Sequence, residues 1–442
     1  MEHTLPPSQK YGSLSWVQVI VSVLGPRLIA SGVAFLGNVL VGRQLEPAGY
    51  GRFYMLFTVM TLVAGLTGPA IDTSLVRFAA RHIRPGRDTS APYFKFVFYV
   101  KCAILLITLG AGALAMRPLR GFLFSENDFP FVPPYAIVLA FLGGAAVSMW
   151  GFAQSYFQAH QRFTKYAGFE FCSSTLRFGL VCSLLAFHSH NVLLYLGAYV
   201  TAPLVMGIIS WSGLPRKLFT ARTDFEVGRE FFRFARWVLL GTVFMTISQR
   251  LDFLLLGYFD VPKDIVGRYG AAVSLVLAGE LVLLTFHSVL LPKASQLKGP
   301  SALQHFVRQL RIPSLLFCLA LASVIPFSGL MCRIAFGASY DGMESYFNIL
   351  LLGVTTAVFC APAVSALYSL GRAPIVAILQ GVRLACALGI GLWVVPRYGA
   401  LGMACTVAAV RGGMSLILYA AANQHLRRLV LLEQGEGQQT AA

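Results

Sequence analysis

Nine ionisable side chains interrupt the long apolar stretches of this sequence: Arg27, Lys101, Glu170, Arg177, Arg250, Asp252, Glu280, Arg383 and Arg411. A charge at bilayer depth is costly unless it faces water or a partner, so each marks a candidate functional site. Six of the nine are cations. Arginine stays charged, and its planar fork donates parallel hydrogen bonds in a geometry that matches phosphate. Arg27, Arg177, Arg250 and Arg383 lie well inside their stretches, where reaching back to the interface is hard. They are the candidate contacts for an anionic, phosphate-bearing cargo. Asp252 and Glu280 are candidates for a coupling cation or proton, the alternative being simple pairing with an arginine.

The remaining charges have plainer readings. Lys101 and Arg411 are near enough to span ends to reach an interface. Glu170 and Arg177 are two helical turns apart, on one face, and could neutralise each other. Arg250 and Asp252 are two apart and point in different directions, so they are not a mutual pair. Asp72 reads as a solvated cap closing the second span on the inner side.

The elements that position these charges follow from composition. Of 442 residues, 57% are hydrophobic and 12% charged, about half the charge of a typical soluble domain. Apolar runs of helix-spanning length recur from Trp16 to Ala422, which predicts an integral membrane protein. Twelve spans are expected, near 20–42, 52–71, 94–116, 135–157, 168–187, 192–213, 237–259, 269–291, 312–331, 346–368, 375–395 and 400–422. Their runs are continuous rather than alternating, which favours helices over a β-barrel. The first run is too long for a cleaved signal peptide, contains Arg27 and lacks a cleavage site.

The net charge of +17 is a topology signal rather than a nucleic-acid footprint. With the N-terminus inside, the inner segments hold 20 Lys/Arg. The outer turns hold eight: Arg43, Arg52, Arg117, Arg120, Lys263, Arg268, Arg333 and Arg397. The positive-inside rule then puts both termini in the cytoplasm. The eight cysteines are scattered without a Cys-x-x-Cys pair, so neither a metal site nor a disulfide framework is indicated. His188 and His190 sit in a short outer turn without a third ligand. No phosphate-loop motif is present, which argues against ATP hydrolysis, and no cofactor is expected.

Six spans precede the basic segment Pro215 to Arg236 and six follow it, so residues 1–215 and 216–442 are expected to form two six-helix lobes in the same orientation. The basic segment itself reads as an amphipathic helix at the inner interface. A turn is written twice: "LVGRQLEPAGYGRFYML" from Leu40 and "LLGYFDVPKDIVGRYGAAV" from Leu255. Gly42 matches Gly257, Pro47 matches Pro262, Gly51 matches Gly267 and Arg52 matches Arg268. Each is expected to be a tight outer reversal, with Gly supplying unusual backbone angles, Pro stopping the helix and Arg anchoring the next one.

Four stretches carry a family resemblance: "GRQLEPAGYGRF", "RLDFLLLGYFDVPKDIVGRYGAA", "YSLGRAPIVAILQGV" and "VVPRYGALGMACTVA". In this order over nearly the whole chain they resemble the Wzx-type lipid-linked oligosaccharide flippases of the polysaccharide transporter family. That family belongs to the MOP superfamily, with the lipid II flippase and the MATE multidrug extruders. The resemblance implies two six-helix lobes around a V-shaped cavity and alternating access. It implies outward movement of a polyprenyl-pyrophosphate-linked oligosaccharide across a bacterial cytoplasmic membrane, without enzymatic chemistry. A polysaccharide polymerase is the implied pathway partner, and membrane lipid surrounds the chain. Arg27 and Arg250 hold similar places in the first helices of the two lobes. Two alternatives stay open: a drug or cation extruder, favoured by a carboxylate-lined cavity, and a membrane polymerase or ligase, which needs a large outer loop.

Overall fold

The computed structural model describes residues 16–84, 87–220, 225–296, 299–369 and 373–439. Almost all of them are helical. In chain order the helices are α1 (Trp16–Thr67), α2 (Pro69–His82), α3 (Ala91–Leu123), α4 (Tyr135–Ala159), α5 (Phe163–Ala186), α6 (Val192–Ser212) and α7 (Lys217–Thr220). They continue as α8 (Phe225–Tyr258), α9 (Lys263–Gln296), α10 (Pro300–Gln309), α11 (Arg311–Ala322), α12 (Ser328–Phe336), α13 (Met343–Ser369) and α14 (Ala373–Gln439). Two-residue strands, Ile83–Arg84 and Arg87–Asp88, pair antiparallel between α2 and α3. Asp88 closes this hairpin, accepting bonds from the Ser90 backbone and hydroxyl and lying 3.0 Å from His160 Nε2. Partial burial raises its pKa, but these bonds outweigh that and hold the carboxyl below its usual range.

Nine helical stretches among the described residues are long and apolar enough to cross a membrane. Two of them, Ile29–Ala80 and Ile378–Leu431, each take in two expected spans, because helix resumes directly after the breaks at Glu46 and Gly68 in the first and at Gly399 in the second. The eighth expected span lies on α9. Large side chains face outward as lipid requires: on α3, Leu106, Ile107 and Leu114 are 72%, 71% and 85% exposed. The protein is an all-helical integral membrane protein.

The chain folds as two compact units. Unit 1 holds residues up to Leu45 and Arg52–Arg250; unit 2 holds Glu46–Gly51 and Leu251–Ala442. The core of unit 1 is aromatic, with Phe78, Phe94, Phe152, Tyr156 and Phe231 buried against one another. Where it is described, the basic segment holds the short helix α7 and, from Phe225, the start of α8, which runs on unbroken to Tyr258. Phe231 and Ala235 are fully buried in the unit 1 core, while Arg229 and Arg236 on the other face are exposed.

Lys101 and Asp72 overturn their expected roles. Lys101 is fully buried, neither snorkelling nor exposed. Its Nζ lies 2.7 Å from Asp72 Oδ1 and donates to the Ser148 carbonyl oxygen at 2.6 Å. Asp72 is therefore an ion-pair partner within the bundle, and α2, α3 and α4 are tied through one charge. Gly151 on α4 makes the room: a Cβ there would fall 2.7 Å from Asp72 Oδ2.

The repeated turn also behaves differently from expectation. Gly42 and Gly257 are not the residues with unusual backbone angles; Glu46 (φ 57) and Asp260 (φ 48) are. Glu46 precedes Pro47, and the proline ring pushes its ψ to an extended 172°. The glycines that matter are Gly51 and Gly267. A Cβ built on Gly51 would strike the Lys263 carbonyl, and one on Gly267 would strike the Pro47 carbonyl. Each glycine meets the carbonyl four residues before its own counterpart, so the two copies of the motif cross one another within unit 2. Tyr50, also fully buried, packs on Phe336 and Tyr340 with ring centroids 6.0 and 6.3 Å away. The Ser274 hydroxyl donates to the Gly270 carbonyl, so the Tyr50 hydroxyl is the donor in their 3.0 Å bond.

Two stability outcomes are expected in thermal unfolding of the detergent-solubilised protein. Gly51→Ala or Gly267→Ala sets a methyl against rigid backbone and loses about 1–3 kcal/mol. Gly110→Ala, on α3 with nothing within 4 Å of its Cβ, is neutral or stabilising; equal loss at all three sites would refute the crossing. Lys101→Met leaves Asp72 unpaired and costs about 3–5 kcal/mol, while Lys101→Met combined with Asp72→Leu recovers most of it. A double variant no better than the single one would show that packing, not charge, is what matters there.

Candidate functional site

Two of the four candidate arginines come together in unit 1. Arg177 projects from α5 and its guanidinium carbon sits 4.9 Å from the centre of the Tyr199 ring on α6. Arg250, near the end of α8, sits 5.8 Å from the centre of the Phe57 ring on α1. The two rings themselves meet edge-on with centroids 5.4 Å apart. The result is a continuous cation–ring–ring–cation arrangement. Tyr199 is fixed further by donating its hydroxyl to the Asn38 side-chain oxygen and by an edge contact with Phe53, centroids 5.2 Å apart.

This arrangement satisfies the cations incompletely. A guanidinium near an aromatic ring gains about 0.5–2 kcal/mol from the ring quadrupole. The ring cannot accept the forked hydrogen bonds that a carboxylate or phosphate can. Among the described residues, no Asp or Glu lies within ion-pair distance of Arg177 or Arg250. Glu170, two turns from Arg177, accepts the Tyr166 hydroxyl at 2.8 Å. Both guanidiniums are half-buried, so their field is weakly screened and their donors are held ready by the rings.

Unit 2 holds the second cationic group. Arg411 Nη1 donates to Glu280 Oε1 at 2.5 Å, joining α14 to α9. Arg411 is thus engaged by a carboxylate inside the bundle rather than reaching for an interface. Arg383 lies within electrostatic reach of both. Arg383 and Arg411 line a cavity of about 160 Å³ with Gln380, Met414 and Ser415. Two arginines and one glutamate leave that corner with an excess positive charge. The Gln380 side-chain oxygen is buried there without a hydrogen-bond partner.

The other candidates are placed as follows. Asp252 is buried in unit 2, where Oδ2 accepts the Tyr269 hydroxyl at 3.0 Å and Oδ1 accepts the Phe253 backbone N–H at 2.9 Å. Arg27 lies on α1, and its side chain is outside the described residues. No group of three or more His, Cys, Asp or Glu among the described residues could hold a metal ion. Tyr199, Phe57, Asn38 and Gln380 were missed by charge-led reading. The available signal was weak: a tyrosine and an asparagine inside otherwise apolar spans.

Comparison with known proteins places this chain in a family. Residues 16–298, well over half of the chain, match the model of the family described as polysaccharide biosynthesis protein. A Shigella flexneri protein named "Putative O-antigen transporter" is 21% identical over 399 residues, 86% of this chain and 90% of that one. Among solved structures, the lipid II flippase MurJ in an inward closed conformation superposes with a TM-score of 0.72 at 11% identity, covering 92% of this chain and 91% of that one. An inward-facing multidrug resistance MATE family transporter of the MOP superfamily gives 0.71 at 12% identity, covering 93% and 98%. The chain has the fold of MOP-superfamily transporters, and it belongs to the polysaccharide biosynthesis protein family.

Proposed function

We propose that this protein flips a polyprenyl-pyrophosphate-linked oligosaccharide repeat unit across a bacterial cytoplasmic membrane, for synthesis of a surface or exported polysaccharide. Its two lobes work by alternating access, with both termini in the cytoplasm. The observation that carries this reading is the pair Arg177 and Arg250, held on aromatic rings with no carboxylate beside them. A pyrophosphate supplies the forked acceptors that both guanidiniums lack. Arg27 and Arg383 serve as further phosphate contacts. The sugars occupy hydrated space while the polyprenyl tail stays in the bilayer. A polysaccharide polymerase receives the flipped unit.

Family and fold support the transporter half of this reading. The charge arrangement supports an anionic cargo over the cationic drugs of a related extruder. The carboxylates that would attract a drug cation are engaged: Asp252 by the Tyr269 hydroxyl and the Phe253 backbone N–H, Glu280 by Arg411. The described helices are joined by short connections, unlike the large outer loop that a polymerase or ligase needs.

The test is the sidedness of lipid-linked repeat units in spheroplasts of cells lacking the protein, read by an outside probe of the sugar. Intact units are expected to accumulate inside. Arg177→Gln with Arg250→Gln, present in the membrane at normal level, is expected to restore export at least tenfold less well than the native chain, since each hydrogen bond to a charged group is worth about 1.5–3 kcal/mol. Tyr199→Leu, which removes the support but keeps both charges, is expected to lose severalfold. Full export by the double variant would remove the phosphate assignment. Units that reach the outer face in the absence of the protein, yet remain unpolymerised, would overturn the flippase reading.

A further inference from the structure

Helix α10 sorts its residues by face. Leu303 and Val307, four apart, are buried against Ala363, Ala366, Ala422 and Leu426. Gln304 and Arg308, one position further on, share the adjoining face with His305. The end of α14 repeats the pattern: Ala422 and Leu426 pack inward, and Asn423 and Arg427 follow one position later. Because the apolar faces meet, the polar faces are brought side by side. With Arg311 they line a cavity of about 490 Å³ in unit 2.

The chemistry of this cavity is one-sided. Three arginines, a histidine, two amides and a serine line it, and no carboxylate lines it among the described residues. Gathering three guanidiniums without a counter-charge is unfavourable unless an anion joins them, and arginine forks fit phosphate oxygens. The surroundings indicate where that phosphate comes from. Directly after Arg311, on α11, Ile312, Leu315 and Leu316 are 70%, 51% and 61% exposed, which is the signature of a lipid-facing surface. An amphipathic helix leading into such a segment lies at the membrane–water boundary, the depth of lipid headgroups. We propose that this cavity binds the phosphate of an anionic membrane lipid headgroup, clamping α10 to the end of α14. The site is separate from Arg177, Arg250 and Arg383, and the proposal does not depend on what the protein transports.

The test uses the full chain purified in neutral detergent and supplied with phosphatidylglycerol, with retained lipid counted by native mass spectrometry. Arg308→Gln with Arg427→Gln is expected to lower retention about thirtyfold, the scale of two basic side chains at a membrane surface. Arg216→Gln with Lys217→Gln, which removes the same charge from another exposed segment, is expected to leave it unchanged. Phosphatidylglycerol is also expected to raise the unfolding temperature of the native chain, and that rise to vanish in the first variant. Equal losses in both variants, or no loss in either, would overturn the proposal. Inorganic phosphate stabilising lipid-free protein as well as phosphatidylglycerol does would overturn the lipid source in favour of a free anion.

Discussion

Every charge placed in an apolar span must find compensation there, and this constraint organises the interior of the protein. The strength of compensation varies from site to site. Lys101 receives a carboxylate and a carbonyl. Arg411 receives a carboxylate, and Asp252 a hydroxyl and a backbone N–H. Arg177 and Arg250 receive aromatic faces. The first three arrangements pair a charge with a polar group on a neighbouring helix and so act as structural ties between helices. The last sets no carboxylate beside the guanidinium.

The same distinction explains why two arginines can rest on one pair of rings. Phe57 and Tyr199 are joined edge-on, and Tyr199 is anchored by Asn38 and Phe53. Fixing a long cationic side chain in advance lowers the entropy lost when it engages an anion. In water such preorganisation gains little, because the anion is already solvated. In a half-buried setting of low dielectric it gains more, because each pre-aimed donor replaces hydration that has been stripped away.

Duplication is used in a second way. Membrane helices gain no hydrophobic advantage from touching one another rather than lipid, so close approach depends on small residues. Gly51 and Gly267 provide it, each accommodating the carbonyl that belongs to the other copy of the motif. A motif written twice thus packs against itself. The acidic residues Glu46 and Asp260 take the left-handed conformations that glycine was expected to supply, since at Glu46 the following proline limits the backbone and tertiary packing holds the strain.

The class of protein, its apolar helical spans, the excess of intramembrane cations and the repeated turn were all legible in the sequence. Hydrophobicity and charge are sums over local windows, and a span needs no partner to be recognised as a span. Which charges would be neutralised was not legible. Asp72 and Lys101 are 29 residues apart, and Glu280 and Arg411 are 131 apart. Whether such residues meet depends on how each helix is rotated and how far its neighbours slide, which local composition does not record. For the same reason Asp72 looked like a solvated cap and Tyr199 went unnoticed. The sequence determined that charges must be compensated within the membrane; only the tertiary structure decided which were paired across helices and which rest on aromatic faces, because that choice is made by distances between residues remote along the chain.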